Sequence, residues 1–332
     1  MFHFTKLASL FVSVLAVMPT SVSADVYKCL DKKNKVFYQD RPCQDLTSAQ
    51  LPPGLSRSVQ SSDAAHFLWK ANSAQGTVYV MGALPYGEKD MYPLPDVITE
   101  ALSESDVLVV GVNIAALPEA ELLSVAANQG VYVDNSDLSK HVTAPTWERV
   151  LKVSKMLGLS EETLRTQKPW LASLSLMHQA AKQAGYTPEF SGDKMVIKDA
   201  EMRKPIIQLD AVEEQAKLMD GLSEIEQEQM LVQTLNEIER GDGYFKSLAE
   251  AWAKGDTSAV ESIMRRRSDS LPASAKLAKV LRFDRIAAIA EKIAELAADG
   301  RTYFVVLEAG YLVGEHGFLD QLQVKGFKLS QL

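Results

Sequence analysis

The sequence has 332 residues and a formal net charge of -8, with 46% hydrophobic and 23% charged residues. This composition is typical of one large or two moderate globular domains and excludes disordered, collagen-like and polytopic membrane proteins. The acidic balance argues against nucleic acid or an anionic membrane as the main partner. Two cysteines are too few for a four-cysteine zinc site, and neither CxxC nor HExxH occurs in the sequence.

The first 24 residues have the features of a cleavable secretory signal. Lys6 precedes an apolar stretch from Leu7 to Met18, and a short run of small residues ends at Ala24. The apolar stretch has about 12 residues, fewer than the roughly 20 that span a membrane. We therefore expect a periplasmic or secreted protein that begins near Asp25 and has no transmembrane span after cleavage. An uncleaved anchor is the alternative.

Residues 25–44 are predicted to form a small β-hairpin. Two β-prone stretches flank a polar turn at 32–35, and Cys29 and Cys43 stand on either side of that turn. In an oxidising compartment these cysteines would form a disulfide, which stabilises a loop of about 15 residues by on the order of 3 kcal/mol. Two unpaired thiols are the alternative. The segment resembles a hairpin module of unknown function at the front of many exported bacterial proteins.

A linker is expected between this hairpin and a larger domain. Residues 45–65 are rich in Ser, Gln and Pro and lack a sustained apolar period. Residues 66–332 begin and end with strand-like stretches and have a strongly helical middle. This order predicts an α/β or α+β domain, in which N- and C-terminal segments build one mixed sheet flanked by the helices.

The predicted elements of the large domain follow from apolar periodicity and from capping signals such as Ser223 with Glu226. The basic cluster at 265–267 is expected to end a helix, and a docking patch is the alternative. The predicted strands are Phe67–Ala71, Thr77–Met81, Val107–Val112, Tyr303–Leu307 and Phe327–Leu329. The predicted helices are Pro95–Ser103, Thr146–Leu157, Trp170–Ala184, Val212–Leu218, Ser223–Glu239, Tyr244–Ala253 and Ala275–Ala298.

Several motifs in the large domain occur in the order found in one family. A Leu-Trp pair at Leu68 is followed by a strand that runs into Gly82 and, after a helix, by a strand that runs into Gly111. The runs KPW, GD, PIIQLDAVEEQ and AGYLVGEHGF follow in that order. Together these motifs resemble the TraB/GumN family over roughly residues 66–332.

The family includes metal-dependent proteases of the Tiki type, so the resemblance implies a site with two GxxH motifs and a strand glutamate. This sequence departs from that pattern at the ligand positions. The first GxxH motif begins at Gly82 and has Pro85 in place of histidine. The glutamate position is Gly111, and Asn113 replaces a nearby aspartate.

The second GxxH motif is altered in the same way. Glu308 stands at its first glycine and Tyr311 at its histidine. Proline and glycine offer no ligand atom, and a tyrosine hydroxyl with an ordinary pKa near about 10 is a poor ligand for a divalent metal. We therefore expect no family-type catalytic residue, metal site or cofactor. The sequence favours a pseudoenzyme that binds an unknown protein or envelope component, or has a structural role.

Other polar residues offer an alternative to this interpretation. Asp210, Arg285, Glu308 and His316 are expected near one end of the sheet, so a metal-dependent hydrolase could use Glu308, Asp210 and His316 in a rearranged site. A simpler interpretation is a Glu308–Arg285 ion pair beside a solvated His316.

Searches for other catalytic arrangements are negative. The sequence has no GxSxG, no Walker loop and no GxGxxG. His66, His141 and His178 show no ligand spacing, so they are expected to be surface or packing residues.

Overall fold

The computed structural model describes residues 27–30, 36–39, 65–74, 76–113, 117, 119–133, 136–200, 203–241, 243–268 and 283–332. Two compact units account for these ranges, one within residues 17–63 and one that contains the described residues from 65 onward. The first unit has two antiparallel strands, β1 (Tyr27–Leu30) and β2 (Val36–Gln39), with Tyr27 opposite Gln39.

Other predictions for the first 64 residues fall outside the described ranges. The signal segment, most of the linker and Cys43 all lie there. Export and the Cys29–Cys43 disulfide therefore stay predictions.

A six-stranded mixed sheet forms the centre of the large domain. Its strands are β3 (Leu68–Asn72), β4 (Thr77–Ala83), β5 (Val107–Val110), β6 (Ile206–Gln208), β7 (Thr302–Glu308) and β8 (Lys328–Gln331). Their spatial order is β6-β5-β7-β4-β3-β8. The four strands from β6 to β4 are parallel, whereas β3 pairs antiparallel with both β4 and β8. The predicted α/β class and the joining of both chain ends in one sheet are confirmed.

Two of the central strands are buried along nearly their whole length. All four residues of β5 are buried, and β7 is buried from Tyr303 to Leu307. Near-continuous apolar runs of this kind are typical of parallel strands that are covered on both faces. The central position of β7 explains why a strand from the C-terminal part carries one of the most apolar sequences in the chain.

Helices cover the rest of the described domain. They are α1 (Asp96–Glu104), α2 (Glu119–Gln129), α3 (Ala144–Leu157), α4 (Glu161–Arg165), α5 (Pro169–Gln183), α6 (Gly192–Ala200), α7 (Val212–Asp220), α8 (Glu224–Arg240), α9 (Tyr244–Ala253), α10 (Thr257–Ser268), α11 (Asp284–Ala297), α12 (Ala309–Leu312) and α13 (Phe318–Val324). The predicted capping box of α8 is present, and the basic cluster at 265–267 falls in the last turn of α10.

Several predicted bounds need correction. The strand expected to reach Val112 ends at Val110, and the last strand begins at Lys328 and continues to Gln331. The helix expected from Ala275 is described only from Asp284, with Phe283 as its N-cap, and residues 269–282 lie outside the described ranges. Sequence analysis missed β6 because it is three residues long and not fully buried, so it has no clear apolar period.

Part of the helical region has an apolar core of its own. Leu138, Val150, Leu164, Leu176 and Leu231 are buried together there, separately from the core around the sheet. No helix in the described ranges combines the length and the apolar character needed to cross a membrane.

Candidate functional site

The carboxyl ends of the four parallel strands meet at one edge of the sheet, where α/β proteins commonly bind ligands. Gly111 follows β5 and Asp210 follows β6, and the backbone N–H of Asp210 donates to the carbonyl of Gly111 at 2.9 Å. On the other side of this edge, the register of β4 and β7 places Ala83 opposite Glu308. The positions at which the sequence resemblance implies a metal site therefore lie along one edge of the sheet.

Gly82, near the end of β4, is held by close packing. A Cβ atom at this position would lie 2.4 Å from the ring of Phe67, so a larger residue would displace that ring. The indole N–H of Trp252 donates to the Gly82 carbonyl at 2.5 Å, and Trp252 is only 5% exposed. The sequence does not indicate this bond, since a contact across 170 residues leaves no local signal.

Gly111 has a different environment. A Cβ atom at Gly111 would meet no atom within 4 Å among the described residues, so packing there does not require a glycine. The nearby Asn113 backbone N–H donates to the side-chain carbonyl of Gln208 at 2.9 Å. The side-chain oxygen of Asn113 is buried and has no hydrogen-bond partner in the described part of the chain. Among the described residues, nothing therefore obstructs a Cβ atom at position 111.

Asp210 has several hydrogen-bond partners at this edge. It forms an ion pair with Arg285, accepts from the Ala211 backbone N–H at 2.9 Å and accepts from the Gln215 side chain at 3.3 Å. The Asp210 and Arg285 side chains are only 22% and 23% exposed. Arg285 stands in the first turn of α11, where the helix dipole disfavours a cation, so the Asp210 carboxylate compensates for its charge. Arg285 is therefore paired with Asp210. The predicted ion pair between Arg285 and Glu308 is wrong.

The positions around the second family motif lie on a short helix and the loop after it. Glu308 ends β7 and is exposed, whereas Tyr311 is half-buried on α12 and packs against the sheet core. A Cβ atom at Gly310 would lie 3.2 Å from the sulfur of Met264, so side-chain packing closes this side of α12.

His316 lies in the loop that follows α12. Its backbone has φ 63° and its N–H donates to Asp320 at 3.2 Å, while its side chain is 68% exposed. The ring contacts Phe283 edge-on with centroids 6.1 Å apart, which places His316 near the start of α11. Among the residues that the structure describes, no three His, Cys, Asp or Glu side chains are arranged to hold a metal ion.

A buried histidine lies beside the segment that follows β4. His178 on α5 is 6% exposed and contacts the ring of Tyr86, with centroids 6.0 Å apart. Burial lowers the pKa of His178, and the charge of Lys182 lowers it further, while Glu189 opposes this shift. Burial also lowers the pKa of His66. Both shifts favour neutral imidazoles at neutral pH.

The fold and this edge define a class: a mixed α/β domain whose polar positions gather beyond the carboxyl ends of parallel strands. The model of the TraB/PrgY/gumN family matches residues 67–331, and the chain belongs to that family.

Curated relatives match over shorter stretches. The chain is 23% identical over 161 residues to "Uncharacterized protein YbaP" of Escherichia coli (strain K12), which covers 46% of this chain and 57% of that protein. It is 24% identical over 144 residues to the protein of the same name from Shigella flexneri, with 42% and 51% covered. The chain therefore spans about half the length of the curated relatives it matches. No solved structure matches it.

Proposed function

We propose that this protein is an exported family member that has lost the family's metal-dependent hydrolysis and acts as a binding or structural module. The ion pair between Asp210 and Arg285 carries the proposal. A carboxylate that neutralises an adjacent guanidinium has little negative charge left for a metal cation, and the guanidinium keeps its charge at any physiological pH. A metal at Asp210 would have to displace Arg285 or lie beside a second cation.

The substitutions at the other ligand positions support the same proposal. Pro85 and Gly111 offer no side-chain donor, and Tyr311 offers only a neutral hydroxyl. Metal affinity depends on deprotonated or neutral donors that converge on one point, so three vacancies at once remove most of it. His316 could replace only one of these donors, and its exposed side chain would have to be ordered first.

The compartment and the partner belong to the proposal as well. The first 24 residues support export, and the acidic net charge of -8 makes nucleic acid an unlikely ligand. We infer that the partner is a protein or another component of the cell envelope.

Elemental analysis of the purified mature protein tests the loss of metal chemistry. The protein is incubated with manganese, cobalt or zinc salts, freed of unbound metal and analysed. The expected result is no stoichiometric metal. Asp210→Ala is compared with Asp299→Ala, because Asp299 also forms an ion pair with an arginine, Arg301, but precedes β7 and so lies away from its carboxyl end.

One bound equivalent in the unmodified protein would overturn the proposal. If that equivalent were lost in Asp210→Ala and Glu308→Ala but kept in Asp299→Ala, the result would instead support a metal-dependent hydrolase that uses Glu308, Asp210 and His316.

A further inference from the structure

Three side chains of the helical region form a continuous hydrogen-bonded chain. The Ser136 hydroxyl oxygen lies 2.7 Å from Nε2 of His141, and Nδ1 of the same ring lies 2.7 Å from a carboxylate oxygen of Glu224. Sequence analysis predicted only an ordinary loop histidine at His141. It could not identify Glu224 as a partner, because the two residues are 83 positions apart.

The chemistry of these groups determines where the protons lie. An ionised carboxylate only accepts hydrogen bonds, so Glu224 requires the proton on Nδ1 of His141. In a neutral imidazole, Nε2 then carries the lone pair and accepts the hydroxyl proton of Ser136. This is the order of groups that activates a serine: a nucleophile, a base, and a carboxylate that orients the base.

Neighbouring residues hold the histidine in this position. The ring of Tyr132 stacks on His141, with centroids 4.3 Å apart and planes 16° from parallel. Two residues after His141, Thr143 donates from its backbone N–H and its hydroxyl to Glu228, at 2.8 and 2.6 Å. Glu228 lies one turn after Glu224 on α8, so one helix holds both the histidine and the loop that carries it.

The site is accessible and separate from the edge of the sheet. The side chain of His141 is 24% exposed and that of Glu224 is 73% exposed, and Ser136 is partly exposed as well, so a small substrate can approach from solvent. The loop that carries Ser136 and His141 packs through Leu138 into the helical core and not into the sheet core.

We propose that Ser136, His141 and Glu224 form an acyl-transfer site that hydrolyses small carboxylic esters without a metal. Nε2 of His141 takes the hydroxyl proton of Ser136 while Oγ bonds to the ester carbonyl carbon. The carbon–oxygen bond to the alcohol then breaks, and the alcohol leaves with that proton. A water molecule, deprotonated by the same base, hydrolyses the acyl-serine, releases the carboxylic acid and returns the proton to Ser136.

Labelling with a fluorophosphonate probe tests this site in the full mature protein. His141 takes the hydroxyl proton, the Ser136 oxygen bonds to phosphorus, the phosphorus–fluorine bond breaks, and fluoride leaves with the proton. The expected result is a label on Ser136, located by peptide mass spectrometry and absent from Ser136→Ala. Because general-base catalysis contributes about 10²–10⁴-fold, His141→Gln should slow labelling by at least about 100-fold. Glu224→Gln should slow it by less.

Ser139→Ala is the matched control. The Ser139 hydroxyl donates to Asp137, so Ser139 is a nearby serine bonded to a carboxylate instead of an imidazole. This variant should be labelled at the wild-type rate, and circular dichroism verifies that every variant is folded. The proposal is overturned if folded protein carries no label on Ser136, or if His141→Gln leaves the labelling rate unchanged. Neither result depends on metal content, so the failure of this proposal is distinguishable from failure of the proposed function.

Discussion

Asp210 at the sheet edge and Glu224 at the start of α8 are two carboxylates with very different partners. Each contacts a nitrogen of a distant side chain, 75 residues away at Arg285 and 83 residues away at His141. Arginine keeps its charge at physiological pH, so its pair with Asp210 neutralises the site and moves no proton. Histidine can accept and release a proton near neutral pH, so its pair with Glu224 can support acid–base chemistry. The partner of a carboxylate therefore decides whether the pair can take part in proton transfer.

The largest effect is expected from placing metal ligands at the sheet edge. The triple variant Pro85→His/Gly111→Glu/Tyr311→His supplies two imidazoles and a carboxylate, and Gly111 has free space for the new side chain. Since three such ligands are the usual protein set of a catalytic zinc site, bound zinc should rise from none to about one equivalent. Elemental analysis measures it.

The matched control for this variant carries Gly111→Gln in place of Gly111→Glu. It has nearly the same shape but no negative charge, so it should bind much less zinc. Equal binding in the two triple variants, or binding in neither, would contradict the view that only side-chain chemistry separates this edge from a metal site.

The second-largest effect concerns the packing that supports the edge. Trp252→Phe leaves the buried carbonyl of Gly82 without its indole donor and removes part of a buried ring. The free energy of unfolding should fall by about 2 kcal/mol, measured by urea denaturation. Trp147→Phe is the control, because Trp147 is half-buried under Arg165. The free energy of unfolding of this variant should fall by less than about 1 kcal/mol. Equal losses would show that the Trp252–Gly82 bond contributes nothing specific.

A smaller effect is expected at the ion pair itself. Arg285→Ala leaves the Asp210 carboxylate without a compensating charge and should lower the free energy of unfolding by about 1 kcal/mol. The double variant Arg285→Ala/Asp210→Asn removes both charges and should recover part of that loss, as urea denaturation can measure. A double variant less stable than Arg285→Ala would mean that Asp210 stabilises the edge through its other hydrogen bonds instead.

The smallest effect concerns His178, a buried histidine that has no hydrogen-bonded carboxylate among the described residues. The pKa of His178 in the folded protein is lowered from 6.5, mainly by burial, so below that pH the unfolded chain binds the proton more readily. The contribution of His178 to the free energy of unfolding is therefore fully present above pH 6.5 and is lost as the pH falls below that value.

Thermal unfolding of wild type and His178→Gln from pH 8 to pH 5 measures this effect. Glutamine stays neutral across this range, so the variant should lose less stability on acidification than the wild type does. Parallel curves for the two proteins would refute the assignment.

The central strands and longest helices could be predicted because their signals are local. β7 is a continuous apolar run, which is typical of a buried strand, and a capping box marks the N-terminus of α8. The short strand β6 and the small helix α12 were missed, because three or four residues hold no full period, but the longer helices α2 and α6 were missed as well. At the candidate site, the positions at the sheet edge could be named from the sequence. The pairing of Arg285 with Asp210 could not, because the two residues are far apart in the chain.

By itself, the sequence determined which side chains stand at the positions that resemble the family's ligand positions. Proline, glycine and tyrosine at 85, 111 and 311 lack the required donors in any fold, because ligand chemistry is a property of the side chain. Only the tertiary structure decided how the remaining groups pair. Packing between distant elements placed Asp210 against Arg285 and His141 between Ser136 and Glu224, and separations of 75 and 83 residues leave no periodic trace in a sequence.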